Sequence, residues 1–239
     1  FQYIGRYQFE ISDSMTFTAT GYNNEHSRSW FKTEGLDANG SMDAQDFDRT
    51  SWFNVIQSIN SGSALDGLST TQLQGILDGT LDTAAGSIQL RANDREYYSR
   101  GGQFKLAWDG EIGETSHSLE VGLRYHWDQE DRLQRNSTYS QQGGALVLDD
   151  FGELGNAGNR IQEAEALAIH VYDRIEWGNW TFTPGLRYED IDQKRTRFSD
   201  GATRTFRDDR ENKTKVWLPG MGVLYQMTDE WQLLAGVHK

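Results

Sequence analysis

Five histidines, His26, His117, His126, His170 and His238, are the side chains best suited to proton transfer or metal ligation, and none stands at a spacing that serves either. There is no HExxH pair on which a zinc ion could sit and no G-x-S-x-G elbow to expose a nucleophile. With no cysteine, both a disulfide framework and a thiolate zinc site are excluded. The carboxylate pairs Asp149-Asp150 and Asp208-Asp209 fall in polar stretches, where a solvated surface explains them better than acid–base chemistry. The run from Asp37 through Asn39, Gly40 and Asp43 to Asp48 resembles a calcium loop only faintly. Its glycine stands fourth rather than sixth, its twelfth residue is Asp rather than Glu, and no helices flank it. Three Asn-x-Thr sequons, at Asn136, Asn179 and Asn212, match a motif common by chance. The sequence is therefore read as a non-enzyme with no cofactor and no resident metal.

The elements that carry these residues have an unusual composition. The chain has 239 residues with 36 acidic and 23 basic side chains, a formal charge of −13 that argues against nucleic acid as partner. A mean hydropathy of −0.74 could indicate disorder, but eight Trp and ten Tyr argue against it. No run of apolar residues is long enough for a transmembrane helix. Two prolines against 25 glycines suit an ordered, strand-rich chain.

Alternation with period two recurs throughout. Leu119, Val121, Leu123, Tyr125 and Trp127 alternate with Ser118, Glu120, Gly122, Arg124, His126 and Asp128. Trp180, Phe182, Pro184, Leu186 and Tyr188 alternate with Thr181, Thr183, Gly185, Arg187 and Glu189. Similar patterns predict strands over 3–11, 15–22, 98–108, 164–177, 216–226 and 231–239, about eight in all. Short turns at 12–14, 109–111, 178–179 and 228–229 alternate with long polar stretches over about 23–97, 129–163 and 190–215. That rhythm predicts an all-β, antiparallel up-and-down transmembrane β-barrel with long external loops. Six of the eight Trp fall near strand ends, as interfacial girdles require. Charged residues on the polar faces (Arg6, Lys105, Glu120, Arg124, Arg187, Glu189) suit a wide lumen. Pro184 and Pro219 inside strands demand a bulge or a place where the strand leaves its neighbour. In the first long loop, Leu68, Leu73, Ile76 and Leu77 predict one short helix, with Ser69 or Thr70 as N-cap and Gly79 as the stop.

The segment Trp180-Thr-Phe-Thr-Pro-Gly-Leu-Arg-Tyr-Glu189 resembles the L-T-P-G-x-R-Y-E strand of TonB-dependent outer-membrane receptors. The preceding strand Ala166–Ile175, the stretch Leu218-Pro-Gly-Met-Gly-Val-Leu-Tyr-Gln-Met-Thr-Asp and the end Leu234-Ala-Gly-Val-His-Lys239 resemble the ferric-citrate-receptor-like branch. Pro184 and Pro219 belong to that pattern. The resemblance, strongest over 98–239, implies a 22-stranded barrel in the bacterial outer membrane, filled by an N-terminal plug. It further implies import of a ferric siderophore or ferric citrate driven by the TonB complex, with iron entering as chelated substrate. Phe1 is not an initiator Met, and neither a plug nor a terminal aromatic strand is recognisable. Residues 1–239 are therefore expected to be part of one barrel domain, about eight strands of a larger protein. The alternative is a small complete outer-membrane barrel serving as a passive pore or surface adhesin.

An anionic chelate of this kind requires guanidinium forks and aromatic walls. Candidates on the long stretches are Arg28 with Trp30, Arg91 with Arg95, Arg132 with Arg135, and the cluster Lys194, Arg195, Arg197, Arg204, Arg207 and Arg210. The set taken as ligand-binding is Arg28, Trp30, Arg95, Arg132, Arg135, Arg197, Arg204 and Arg207. The competing reading is that each of these merely offsets neighbouring acids such as Asp200, Asp208 and Asp209.

Overall fold

The computed structural model describes residues 1–38, 40 and 49–239. In chain order the strands are β1 Gln2–Ser12, β2 Met15–Arg28, β3 Phe31–Leu36, β4 Ile88–Ala92, β5 Arg95–Ile112, β6 Thr115–Gln142, β7 Ala145–Asp150, β8 Gly158–Trp177, β9 Trp180–Ser199, β10 Thr205–Gln226 and β11 Gln232–His238. Two helices, α1 Trp52–Ser61 and α2 Thr70–Leu77, lie between β3 and β4. Eight strands pair as an antiparallel meander in the order β1-β2-β5-β6-β8-β9-β10-β11. All eight predicted strands are present. The sheet is open, since β1 and β11 stand at its two edges.

Register continues each strand's alternation across the sheet. Phe17, Leu106, Val121, Val171, Leu186 and Pro219 occupy consecutive partner positions on one face. This apolar face is exposed: Val121 is 43% accessible, Ile169 45% and Trp217 56%. A soluble sandwich would bury such residues, so the exposed stripe marks a surface whose solvent is hydrocarbon. On β6, Trp127 lies eight residues from Leu119, the partner of Trp108. That is roughly 27 Å along the strand, near the apolar height of an outer-membrane barrel once tilt is included. At the short-turn end Trp180 packs on Tyr225 with ring centroids 4.4 Å apart, and at the other level Tyr188 packs on Trp217 at 4.7 Å.

The polar face carries paired charges and small residues. Glu120 bridges Lys105 and His170 (His170 Nε2 at 3.0 Å), and Arg187 pairs with Glu189 at 2.6 Å. The prolines need no bulge. Pairing between β8 and β9 skips Asp173 and Arg174 opposite Thr183 and Pro184, so the missing N–H falls where the ladder is already open. Pro219 lies just outside the β10–β11 register, which runs from Gly220 to Gln226.

The long stretches depart from the predicted loops. Residues 129–142, 158–163, 190–199 and 205–215 continue β6, β8, β9 and β10. Above the girdle both faces meet water, so hydrophobic alternation disappears while the backbone ladder persists. Cross-strand pairs such as Lys213–Asp192 at 3.1 Å and Lys215–Asp190 at 2.9 Å replace apolar contacts. The upper part of β6 also pairs with β4 and β7, giving the side sheet β3-β4-β6-β7. Against it α1 and α2 bury Val55, Leu73 and Ile76 with Leu36 and Ile88, a conventional core outside the membrane band. The predicted helix is α2, with the Ser69–Gln72 capping box and Gly79 at φ 74° just past its end. Helix α1 was not predicted. Most of the calcium-like run over 37–48 lies outside the described residues.

Candidate functional site: a guanidinium row above the membrane band

The strand extensions bring arginines into one register row. Arg28 of β2 opposes Arg95 of β5, Arg95 opposes Arg132 of β6, Arg132 opposes Arg160 of β8, and Arg160 opposes Arg197 of β9. The row ends at Asp208 of β10. All five share the parity of the polar face. In the adjoining row stand His26, Tyr97, Glu130, Gln162, Arg195 and Arg210. A cleft of about 760 Å³ opens over this second row, lined by Tyr97, Glu130, Gln162, Arg195 and Arg210 among others.

Like charges directly opposite one another across strands destabilise a sheet, so the row requires compensation. At its flanks compensation is present. Arg95 Nη1 lies 3.4 Å from Glu130, and Arg197 Nε donates to Asp208 at 2.7 Å. Arg28 donates to the Tyr97 hydroxyl at 3.1 Å, with its guanidinium over the rings of Tyr97 and Trp30. At the centre it is missing: Arg132 and Arg160 form no ion pair among the described residues. Burial, followed by repulsion from Arg160 and Arg95, pushes the Arg132 pKa below the ordinary guanidinium value. Burial also lowers that of Arg160; Glu130 opposes the shift while Arg195 and Arg95 add to it. The Nε atoms of Arg95, Arg132, Arg160 and Arg195 are enclosed without an acceptor. Such a stripe can bind a multiply charged anion through forked, charge-assisted hydrogen bonds.

Of the candidate residues, Arg28, Arg95, Arg132 and Arg197 join this row, and Trp30 flanks it. The other three lie elsewhere. Arg135 is three residues from Arg132 and so points to the opposite face, where its guanidinium covers Phe151 at 3.9 Å. Arg204 forms a bidentate pair with Asp131, which raises its pKa. Arg207 is exposed and 3.8 Å from Asp208. Arg160 was missed by the sequence reading; extending the β8 alternation through Ala164 and Gln162 would have reached it.

The model of the TonB dependent receptor-like β-barrel matches residues 2–239. The chain belongs to that family. It is 29% identical over 161 residues to the metal-pseudopaline receptor CntO of Pseudomonas aeruginosa, an alignment covering 63% of this chain and 22% of the relative. Among solved structures it is similar to the unliganded ferric citrate transporter FecA, with a TM-score of 0.63 and 20% identity, covering 99% of this chain and 27% of that one. The open form of the ferric-catecholate import receptor Fiu from E. coli K12 also gives 0.63, at 12% identity, covering 99% of this chain and 34% of that one. The siderophore receptor PiuA of Acinetobacter baumannii gives 0.57 at 13%, covering 95% and 30%. At these identities the solved structures establish the fold. The chain spans about a fifth of the curated relative's length and about a third or less of the solved receptors. The family consists of outer-membrane receptors rather than enzymes, which agrees with the hydrocarbon-facing stripe.

Proposed function

We propose that the chain forms part of an outer-membrane receptor that imports an anionic metal chelate, a ferric siderophore or ferric citrate, with energy from the TonB complex. The guanidinium row is its external binding station. The observation that carries this reading is the Arg132–Arg160 centre, where two opposed guanidinium groups lack a carboxylate partner of their own. The name of the Pseudomonas relative adds metal–pseudopaline chelates to the candidate cargoes.

The test uses the full-length receptor, expressed in a bacterium lacking its own uptake systems for the chelates supplied. Cells given radiolabelled ferric citrate or other anionic ferric chelates should accumulate iron only when both the receptor and TonB are present. The double variant R132A/R160A should reduce uptake at least about tenfold, given roughly 1.5–3 kcal/mol for each hydrogen bond to a charged group. Failure to accumulate any anionic chelate would overturn the proposal.

A further inference from the structure

Nearer the membrane band, the polar face holds a second cluster that the uptake reading does not use. Tyr22 of β2, Gly101 of β5 and His126 of β6 occupy one register row, two rows below that of Tyr97 and Glu130. Tyr22 and His126 meet over Gly101, with the phenolic oxygen 2.5 Å from His126 Nδ1. A Cβ on Gly101 would collide with the Tyr22 ring and hydroxyl, so glycine is what leaves room for the pair. Arg124 donates to the same oxygen at 3.1 Å. The nearby carboxylates Glu120 and Glu189 are held by Lys105, His170 and Arg187, and Arg124 forms no ion pair among the described residues. On the far side of the imidazole, Nε2 faces Asp128 at 3.5 Å, and Asp128 also lines the cleft above. A carboxylate behind one ring nitrogen orients the other toward a metal, and phenolate oxygen and imidazole nitrogen are both donors for iron. Among the described residues no three His, Asp or Glu side chains converge on a metal. Two donor atoms therefore suit an ion that arrives with the rest of its shell supplied by a chelator, rather than a resident one.

We propose that Tyr22 and His126 form an iron-coordinating station in the barrel wall, which ligates the ferric ion of an incompletely saturated chelate through the Tyr22 oxygen and His126 Nδ1. Metal bonds of about 2 Å to both atoms, at a right angle, require them about 2.8 Å apart. A few tenths of an ångström of side-chain movement thus admits the ion where the shared proton now sits. The phenolic O–H bond breaks, its proton leaves to water, and one coordinated water departs for each protein bond formed; the iron stays ferric. Arg124 then balances the phenolate, and Asp128 orients His126. The ligand class is ferric iron in a chelate with exchangeable positions, such as ferric citrate or ferric nitrilotriacetate. This deepens the uptake reading and rests on it for delivery of the chelate.

The test is spectroscopic, on the full-length receptor in detergent. Titration with ferric nitrilotriacetate should raise a visible phenolate-to-iron charge-transfer band, with tyrosinate modes in its resonance Raman spectrum. Tyr22→Phe keeps the ring and removes only the oxygen, and it should abolish the band. His126→Gln and Gly101→Ala should each weaken the apparent affinity read from the band at least about tenfold. A purely structural role for the pair would produce no such band, since the band requires an iron–oxygen bond. Two results would overturn the inference while leaving the uptake reading intact: ferric citrate bound by calorimetry with no band, or a band that survives in Y22F. If G101A fails to fold, the comparison of Y22F with the unmodified receptor still decides. Absence of binding by every anionic ferric chelate would overturn the uptake reading, and this inference with it.

Discussion

At the residue scale, the external arginines serve opposite ends. Arg204 is tied to Asp131 by two hydrogen bonds, and Arg132 and Arg160 are held against each other without an ion pair. Removing a satisfied cation therefore costs stability, while removing a repelled one relieves strain between like charges. We expect Arg204→Ala to lower the receptor's stability by about 1–3 kcal/mol and leave chelate affinity unchanged. Arg160→Gln should raise stability by up to about 1 kcal/mol while weakening affinity about tenfold. Denaturant titration alongside calorimetry would show it; a stability loss in R160Q equal to that in R204A would contradict the account. Residue type alone was enough to nominate Arg28, Arg95, Arg132 and Arg197. It could not separate them from Arg135, Arg204 and Arg207, because that separation depends on strand parity and on which carboxylates lie opposite. Arg160 was missed for a related reason: its stretch was read as loop, so the parity of β8 was not carried on to it.

At the element scale, what could be read depended on the solvent each face meets. Inside the membrane band one face contacts hydrocarbon, so the eight strands announce themselves by alternation. Above it both faces are polar, and the continuations of β6, β8, β9 and β10 look like loops. Helix α2 was legible from its apolar spacing and from Ser69, which caps it. Helix α1 carried comparable signals, with Ser51 and Gly62 at its caps and Trp52, Val55 and Ile59 on one side. Strands β3, β4 and β7 are short and gain their sense only from pairing with β6 or with each other. The core formed around α1 and α2 is separate from the barrel face, so the two should respond separately to mutation. Leu73 is fully buried there, and Leu73→Ala should cost about 2–5 kcal/mol locally. Hydrogen exchange should then rise across α1, α2 and β3 while amides of β8 and β9 within the membrane band keep their protection. Loss of protection in both regions would show that the extension and the barrel fold as one unit.

At the scale of the whole molecule, net charge conceals the site. A chain of −13 overall still sets five arginines in one register row of the polar face, while some of its acids are held in pairs elsewhere, such as Asp192 with Lys213. The other whole-molecule property is closure. Among the described residues the outer edges of β1 and β11 have no strand beside them. In water those edge groups are solvated, whereas in hydrocarbon each unmet N–H or C=O costs several kcal/mol. An edge of about ten residues presents about ten such groups, half its N–H and half its C=O. That penalty exceeds the net stability of an ordinary domain, about 5–15 kcal/mol. The isolated chain is therefore expected to associate through its edges rather than fold as a monomer. Refolded into detergent micelles, it should run as oligomers or aggregate and lack the heat-modifiable band of a closed barrel on electrophoresis. A heat-resistant monomer with strong β circular dichroism would mean that β1 and β11 close on each other, and the open-sheet account would fall.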